Sequence, residues 1–424
     1  MARVIYIKYQ QQCVAGVTET DIDWQDLKEA AVDDFPQICW ADGAVWAEAN
    51  LWALHMAALQ RKLRTIVSAM TNLLTFANWL ESTNLSWWHF PDLEKERCIF
   101  RYRKALTDMR DDGQFAPSTA TQRMNTALRF YLWIYKVGLI SESAPMSEVP
   151  VVGVQVADRF GFDDSMKPDV VAELAIKNRG VVGGVKLEDG VLPVSAADMA
   201  VILKWAKKHA SEELYLILWI GFWTGLRIGS ILDLKKQTIE NAIFDREMGI
   251  YQLSVGPRAL PRVDTKNDAD GQVLIPHDLL RALRAYMWSG RRLLREGKAS
   301  EQVRNHLFIT RCGNAYNQEA SKAIWVEMHR LRKLADAQNF VPFFGFHIHR
   351  TRATFATELM RLALKHMEVA DAVQFVRNAL LHVDEKTTFD YINFIHTQGE
   401  LVHVFDEFNQ QFMGCWGGAK DAER

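Results

Sequence analysis

Between Ser141 and Pro193 the sequence changes character, and that interruption divides whatever the chain folds into. Valine and glycine recur there, Pro145, Pro150 and Pro168 break the pattern, and Asp163 to Asp169 is polar. Proline lacks a backbone donor and disfavours helix at the residue before it. The stretch therefore reads as an elaborated interdomain linker, with Pro168 to Lys177 its one helix-patterned part. Both flanks carry helical periodicity, and 424 residues suit two or three domains. The expected organisation is an arm over 1–43, a helical domain over 44–140, a linker over 141–191, a second domain over 192–398 and a tail over 399–424.

The arm is mixed. Residues 4 to 9 alternate weakly, as in a short strand, and the acidic run from Asp21 to Asp34 suggests a short helix. From Ala44 to Leu80, Leu51, Leu54, Leu59, Leu63, Ile66, Met70, Leu73 and Phe76 recur at helical steps. Asp92 to Met109 predicts a second helix with a basic face of Arg97, Arg101, Arg103 and Lys104. A third helix opens at Pro117, with Ser118 or Thr119 as its cap, and runs to Gly138. Two readings stay open. One is a plain bundle with solvated charges; the other is a DNA-gripping bundle with Arg123 and Arg129 near phosphates.

After the linker, Ser195 is positioned to cap a helix, and the apolar run from Leu214 predicts a buried helix stopping at Thr224-Gly225. Gly249 to Val255 and Gln272 to Ile275 read as strands. The turn signal Asn267-Asp268-Ala269-Asp270-Gly271 between them puts Lys266 at a hairpin tip. The whole is expected to be mainly α with a small β-sheet.

Chemistry concentrates between Gly345 and Tyr391. His349 and Arg352 are three apart and share a helical face. His382 follows, then Tyr391, the only tyrosine after Tyr316. A phenol with a pKa near 10 is only about one part in a thousand ionised at neutral pH, so a nucleophilic role needs a base or a strong positive field. Histidine, arginine and an isolated tyrosine suit attack on a phosphodiester, whose developing charge an arginine fork pairs bidentately. His347 and Arg350 have the same spacing and compete with His349 and Arg352.

Four segments, in order, resemble the tyrosine recombinases, or phage-integrase family: Thr224-Gly225-Leu226-Arg227; Asp264-Thr265-Lys266; the His-x-x-Arg box His349-Arg350-Thr351-Arg352 with Ala353-Thr354-Phe355-Ala356-Thr357; and His382 with Tyr391. The register of the last five residues of that box selects His349 and Arg352. The resemblance covers about Leu192 to Tyr391, and in pattern alone the bundle looks like the family's helical, SAM-like core-binding domain. It implies a catalytic domain of the DNA breaking-rejoining fold. It also implies catalytic residues Arg227, Lys266, His349, Arg352, His382 and Tyr391, with no cofactor and no metal. Two positions depart from the family: Ser230 where many members carry an acid, and Leu381 where a glycine is usual.

What the resemblance implies is a site-specific recombinase. Tyr391 forms a 3′-phosphotyrosine link, Lys266 protonates the leaving 5′-hydroxyl, His349 assists as acid/base, and Arg227, Arg352 and His382 hold the phosphate. Because the link stores the bond energy, rejoining needs neither ATP nor metal. Expected partners are double-stranded recombination sites, a homo-tetramer on DNA and accessory recombination proteins. The expected setting is a mobile element handled in the cytoplasm at the nucleoid. The amphipathic tail residues Leu401, Val404, Phe405, Phe408 and Phe412 fit either packing on their own domain or docking on a neighbouring protomer. Rivals are a type IB topoisomerase, a telomere resolvase and a non-catalytic DNA-binding regulator.

Composition bears on this by exclusion. The net charge of -2 does not announce a DNA binder, but it averages over faces. The five scattered cysteines include no Cys-x-x-Cys pair, which argues against a disulfide framework or zinc site. The N-terminus lacks a signal-peptide core, and the apolar run from Leu214 to Leu226 is too short to span a bilayer.

Overall fold

A computed structural model describes residues 1–18, 21–26, 31–140, 174–176, 187, 191–317, 321–382 and 388–397. The chain forms two compact units, Met1–Val181 and Val182–Arg424. The helix expected within Pro168 to Lys177 lies almost entirely outside the described residues, and the tail 399–424 wholly outside them.

In the first unit, β1 (Arg3–Tyr9) pairs antiparallel with β4 (Val32–Cys39), and β2 (Gln12–Val17) with β3 (Ile22–Asp26). The helix expected within Asp21 to Asp34 is not formed over the described residues of that run: Ile22, Trp24 and Asp26 lie on a strand paired with β2. Cross-strand hydrogen bonding overrides the run's acidity, which solvent satisfies because every β3 residue is exposed. Phe35 and Ile38 of β4 are fully buried in the same core as the helices. That core is made by α1 (Ala47–Ala58), α2 (Leu63–Thr83), α3 (Cys98–Asp111) and α4 (Pro117–Lys136).

The α2 stripe Ile66, Met70, Leu73, Phe76 and Leu80 is buried at its expected spacing. The α1 stripe is not the expected one. Leu51 and Leu59 are exposed, and Trp52, Ala53 and Met56 face the core. Gln60, at φ 55°, breaks the chain between α1 and α2, so one continuous period does not run through both. α4 takes Pro117 at its first position with Ala116 as cap, in place of Ser118 or Thr119.

In the second unit, Ser195 caps α5 (Ala196–His209), its Oγ accepting the Asp198 N–H at 3.0 Å. α6 (Glu212–Thr224) is capped by Ser211 and apolar on nearly every face, as a helix buried in a core must be. It ends where Gly225 turns left-handed at φ 63°. Two short helices follow, α7 (Ile228–Asp233) and α8 (Lys236–Glu240). A three-stranded antiparallel sheet is ordered β5 (Ile243–Asp245), β6 (Ile250–Val255), β7 (Gly271–Ile275). Next come α9 (His277–Met287), α10 (Gly290–Glu296), α11 (Glu301–Arg304), α12 (Ala323–Ala337), α13 (His349–Ala363) and α14 (Val369–Leu380). Residues 388–397 form a last helix, α15.

The larger core joins α5, α6, α9, α12 and the sheet. A second cluster joins α13, α14 and α15. α6 and α13 meet closely at Gly221, where an added Cβ would lie 2.3 Å from Thr351 Oγ1.

Candidate active site

Arg352 is 2 % exposed, on the buried face of α13. Its Nη1 donates to the Gly225 carbonyl and its Nη2 to the Leu380 carbonyl, the latter at 3.0 Å. Gly225 lies two residues before Arg227, and Leu380 two before His382. One buried guanidinium therefore ties the segment carrying Arg227 to the segment carrying His382. Glycine at 225 is needed twice over, for the positive φ and because a Cβ would meet Phe355 Cδ1 at 2.4 Å. Arg227 is half-buried at the N-cap of α7. His349, half-buried, opens α13 one turn before Arg352.

The competing pair is placed differently. Arg350 donates to the Leu192 and Pro193 carbonyls at 2.9 and 3.2 Å, holding the chain where it enters α5. His347 keeps much of its surface in solvent, and the partial desolvation of its ring, with the charges of Arg332 and Arg350, pulls its pKa below the ordinary value.

His382 is buried, and its Nδ1 lies 3.0 Å from Thr388 Oγ1. Its ring stacks on that of Tyr391, centroids 6.3 Å apart and planes 14° from parallel. Thr388 and Tyr391 are one turn apart on α15 and so share a face. Tyr391 is fully buried in the apolar cluster of α13 and α14. His382 and Tyr391 are thus adjacent, and Arg352 is joined to the segment of His382 through the Leu380 carbonyl and to that of Arg227 through the Gly225 carbonyl.

Leu381, between Leu380 and His382, has φ 54° and caps α14. Such a backbone favours glycine, and leucine there carries about 1–2 kcal/mol of strain. The side chain packs against β7, within the space that a Cβ on Gly271 would take, 2.2 Å from Leu381 Cδ2.

Lys266 is exposed in the β6–β7 connection, on a tight turn over Lys266–Asp268, and among the described residues its ammonium makes no ion pair or hydrogen bond. The connection is pinned on both sides of it. Gly256 and Val263 bridge, Asp270 accepts from Arg258, and the Asp264 N–H donates to Asp233 Oδ2 at 2.6 Å. Asp233 ends α7, the helix that Arg227 begins. Neither Asp233 nor Thr388 stood out in the sequence. A carboxylate receiving a backbone N–H leaves no motif, and Thr388 is one of many threonines. Ser230, where an acid is usual, is buried on α7.

Among the described residues no cluster of three or more His, Cys, Asp or Glu side chains is arranged to hold a metal, and no helix is long and apolar enough to cross a membrane.

Residues 194–394 match the model of the phage integrase family. Among the solved structures that share the fold, two are similar over most of the chain. One is XerH site-specific recombinase bound to palindromic difH substrate in a post-cleavage complex, at 17 % identity, TM-score 0.50 and 85 % of each chain. The other is a variant Tn1549 transposon integrase in complex with a circular intermediate DNA, at 14 % identity and TM-score 0.50, covering 84 % of this chain and 99 % of that one. No curated protein matches the sequence.

Proposed function

We propose, on the premise that residues 194–394 belong to the phage integrase family, that this protein is a site-specific DNA recombinase. It cleaves and rejoins strands through a covalent 3′-phosphotyrosine link. The observation that supports the reading is the buried Arg352 guanidinium, which bonds the Gly225 and Leu380 carbonyls and so ties the segment of Arg227 to that of His382, whose ring stacks on Tyr391.

In this reading Tyr391 Oη attacks the scissile phosphorus and its proton passes to His349. The P–O5′ bond breaks and Lys266 gives O5′ a proton. Arg227, Arg352 and His382 hold the non-bridging oxygens, where charge builds in the transition state. The exposed Lys266 can reach a leaving group from the loop side. Tyr391 is enclosed, so attack requires its phenol to leave the apolar cluster and His382 to exchange Thr388 for phosphate. The substrate is duplex DNA at a recombination site of a mobile element, the assembly a tetramer on two such sites, and the setting the cytoplasm at the nucleoid.

The test is a pool of nicked duplexes with randomised cores, in which cleavage releases a short strand and traps the intermediate. Wild type should yield slowly migrating covalent adducts enriched in one sequence, and Tyr391→Phe none. Adducts without sequence enrichment, together with relaxation of any supercoiled plasmid, would mark a topoisomerase. No adduct from wild type would leave a DNA-binding regulator.

A further inference from the structure

Asp233 is 8 % exposed and receives donors from three places. Its Oδ1 accepts from Lys235 Nζ at 2.5 Å and from Asn317 Nδ2 at 2.8 Å, with His306 Nε2 3.4 Å away. Its Oδ2 accepts the Asp264 backbone N–H at 2.6 Å. The floor beneath is closely hydrogen-bonded. Lys235 and His306 form a β-bridge, and Lys235 Nζ lies 2.8 Å from His306 Nε2. An ammonium only donates, so His306 Nε2 accepts and its Nδ1–H points to the Val303 carbonyl at 3.2 Å. Arg292, with no exposed surface, donates to the carbonyls of Arg304, His306 and Leu307.

Of these contacts, that to Asp264 leads toward the chemistry. Asp264 is two residues before Lys266, and Asp233 lies six residues, about 9 Å of helix rise, from Arg227. Lys266 itself is exposed and unpaired among the described residues, so its loop must be aimed by its backbone.

We infer that Asp233 is the positioning residue for Lys266: its carboxylate, held by the Lys235 and Asn317 side chains, fixes the backbone of the lysine loop to the helix that Arg227 begins. The inference rests on the proposed reading of Lys266 as the acid that protonates the leaving O5′. Ser230, where many members have an acid, makes no such contact among the described residues; the carboxylate is one turn further along the same helix.

A leaving group that needs no proton separates this role from a merely structural one. The probe is the duplex recovered as above, in two forms: one with the ordinary 5′-bridging oxygen at the scissile phosphate, one with sulfur there. As the P–S bond breaks, a thiolate departs without accepting a proton. Loss of a general acid typically costs about a hundredfold or more. Lys266→Ala should therefore slow cleavage about a hundredfold on the oxygen duplex and less than about threefold on the sulfur duplex. Asp233→Ala should show the same selective rescue, with a loss of about thirtyfold on oxygen. Asp233→Asn keeps an acceptor for the Asp264 N–H, guards against misfolding, and should recover most of the rate. An Asp233→Ala or Asp233→Asn defect of equal size on both duplexes, or no defect in Asp233→Ala, overturns the inference while leaving the recombinase reading intact. Failure of sulfur to rescue Lys266→Ala overturns both the acid assignment and the inference built on it.

Discussion

Leu381 and Asp233 show how single residues set the geometry of the site. Leu381 has φ 54°, so replacing it separates backbone strain from packing. Both Leu381→Ala and Leu381→Gly lose the side chain that lies over Gly271, but only glycine relaxes the left-handed backbone. Leu381→Gly should therefore be more stable than Leu381→Ala by about 1 kcal/mol, the reverse of the usual order at a helix interior. Urea unfolding of the two variants decides it; equal midpoints would mean that the turn carries no strain. Asp233 makes a pH prediction. Burial pushes its carboxyl up, but hydrogen bonds from Lys235 and the Asp264 N–H, with the charge of Lys235, pull harder and hold it at about 2. A folded-state value below the unfolded one means stability present above about pH 4 and lost as pH falls through about 2. The contribution is about 2 kcal/mol. Wild type should lose about that much more than Asp233→Asn between about pH 6 and pH 2, and the two curves should run parallel above about pH 5.

Among the elements, α6 and α13 decide where Arg352 sits, and both are governed by glycines on α6 and its cap. Gly225→Ala puts a Cβ 2.4 Å from Phe355 Cδ1 at φ 63°. The expected cost is about 2–4 kcal/mol, from overpacking and left-handed strain together. Cleavage should fall further than stability, because the Gly225 carbonyl is one of the two that Arg352 holds. Thermal unfolding beside cleavage of the recovered duplex measures both, and a variant as stable and active as wild type would show that this approach tolerates adjustment. These elements were also the legible ones. Ser195 and Thr224-Gly225 announce a cap and a stop through backbone chemistry that depends on a few neighbouring residues. The α2 stripe is likewise local. The first helix was misread because the break at Gln60 uses a residue type with no preference for a positive φ. β3 was misread because strand pairing is decided by a partner elsewhere in the chain. For the candidate site, the sequence offers Arg227, Lys266, His349, Arg352, His382 and Tyr391 as residue types suited to the proposed chemistry. Their mutual holding was not legible, because it runs through the carbonyls of Gly225 and Leu380, the N–H of Asp264 and the hydroxyl of Thr388.

For the whole molecule, 50 basic and 52 acidic residues leave no net field to draw in DNA, so binding must come from local faces. Which of the two units supplies them was left open by the sequence. In the first unit several basic side chains are already engaged. Arg97, 4 % exposed, donates to the Pro91 and Asp92 carbonyls and so leaves the basic face expected of α3, and Arg123 lies over the Phe115 ring at 4.6 Å. Lys104 and Arg129 remain exposed. Each unit has its own apolar core, so residues 182–424 should fold as a separate fragment. Each phosphate that a protein neutralises adds about 0.9 to the slope of log affinity against log salt. If the helical bundle grips DNA, the full chain should show a steeper slope than the 182–424 fragment, and Lys104→Ala and Arg129→Ala should each lower it by about 1. If the fragment and the full chain share one slope, α1 to α4 make no phosphate contacts. The first unit is then a bundle with solvated charges, and the catalytic unit alone holds the duplex.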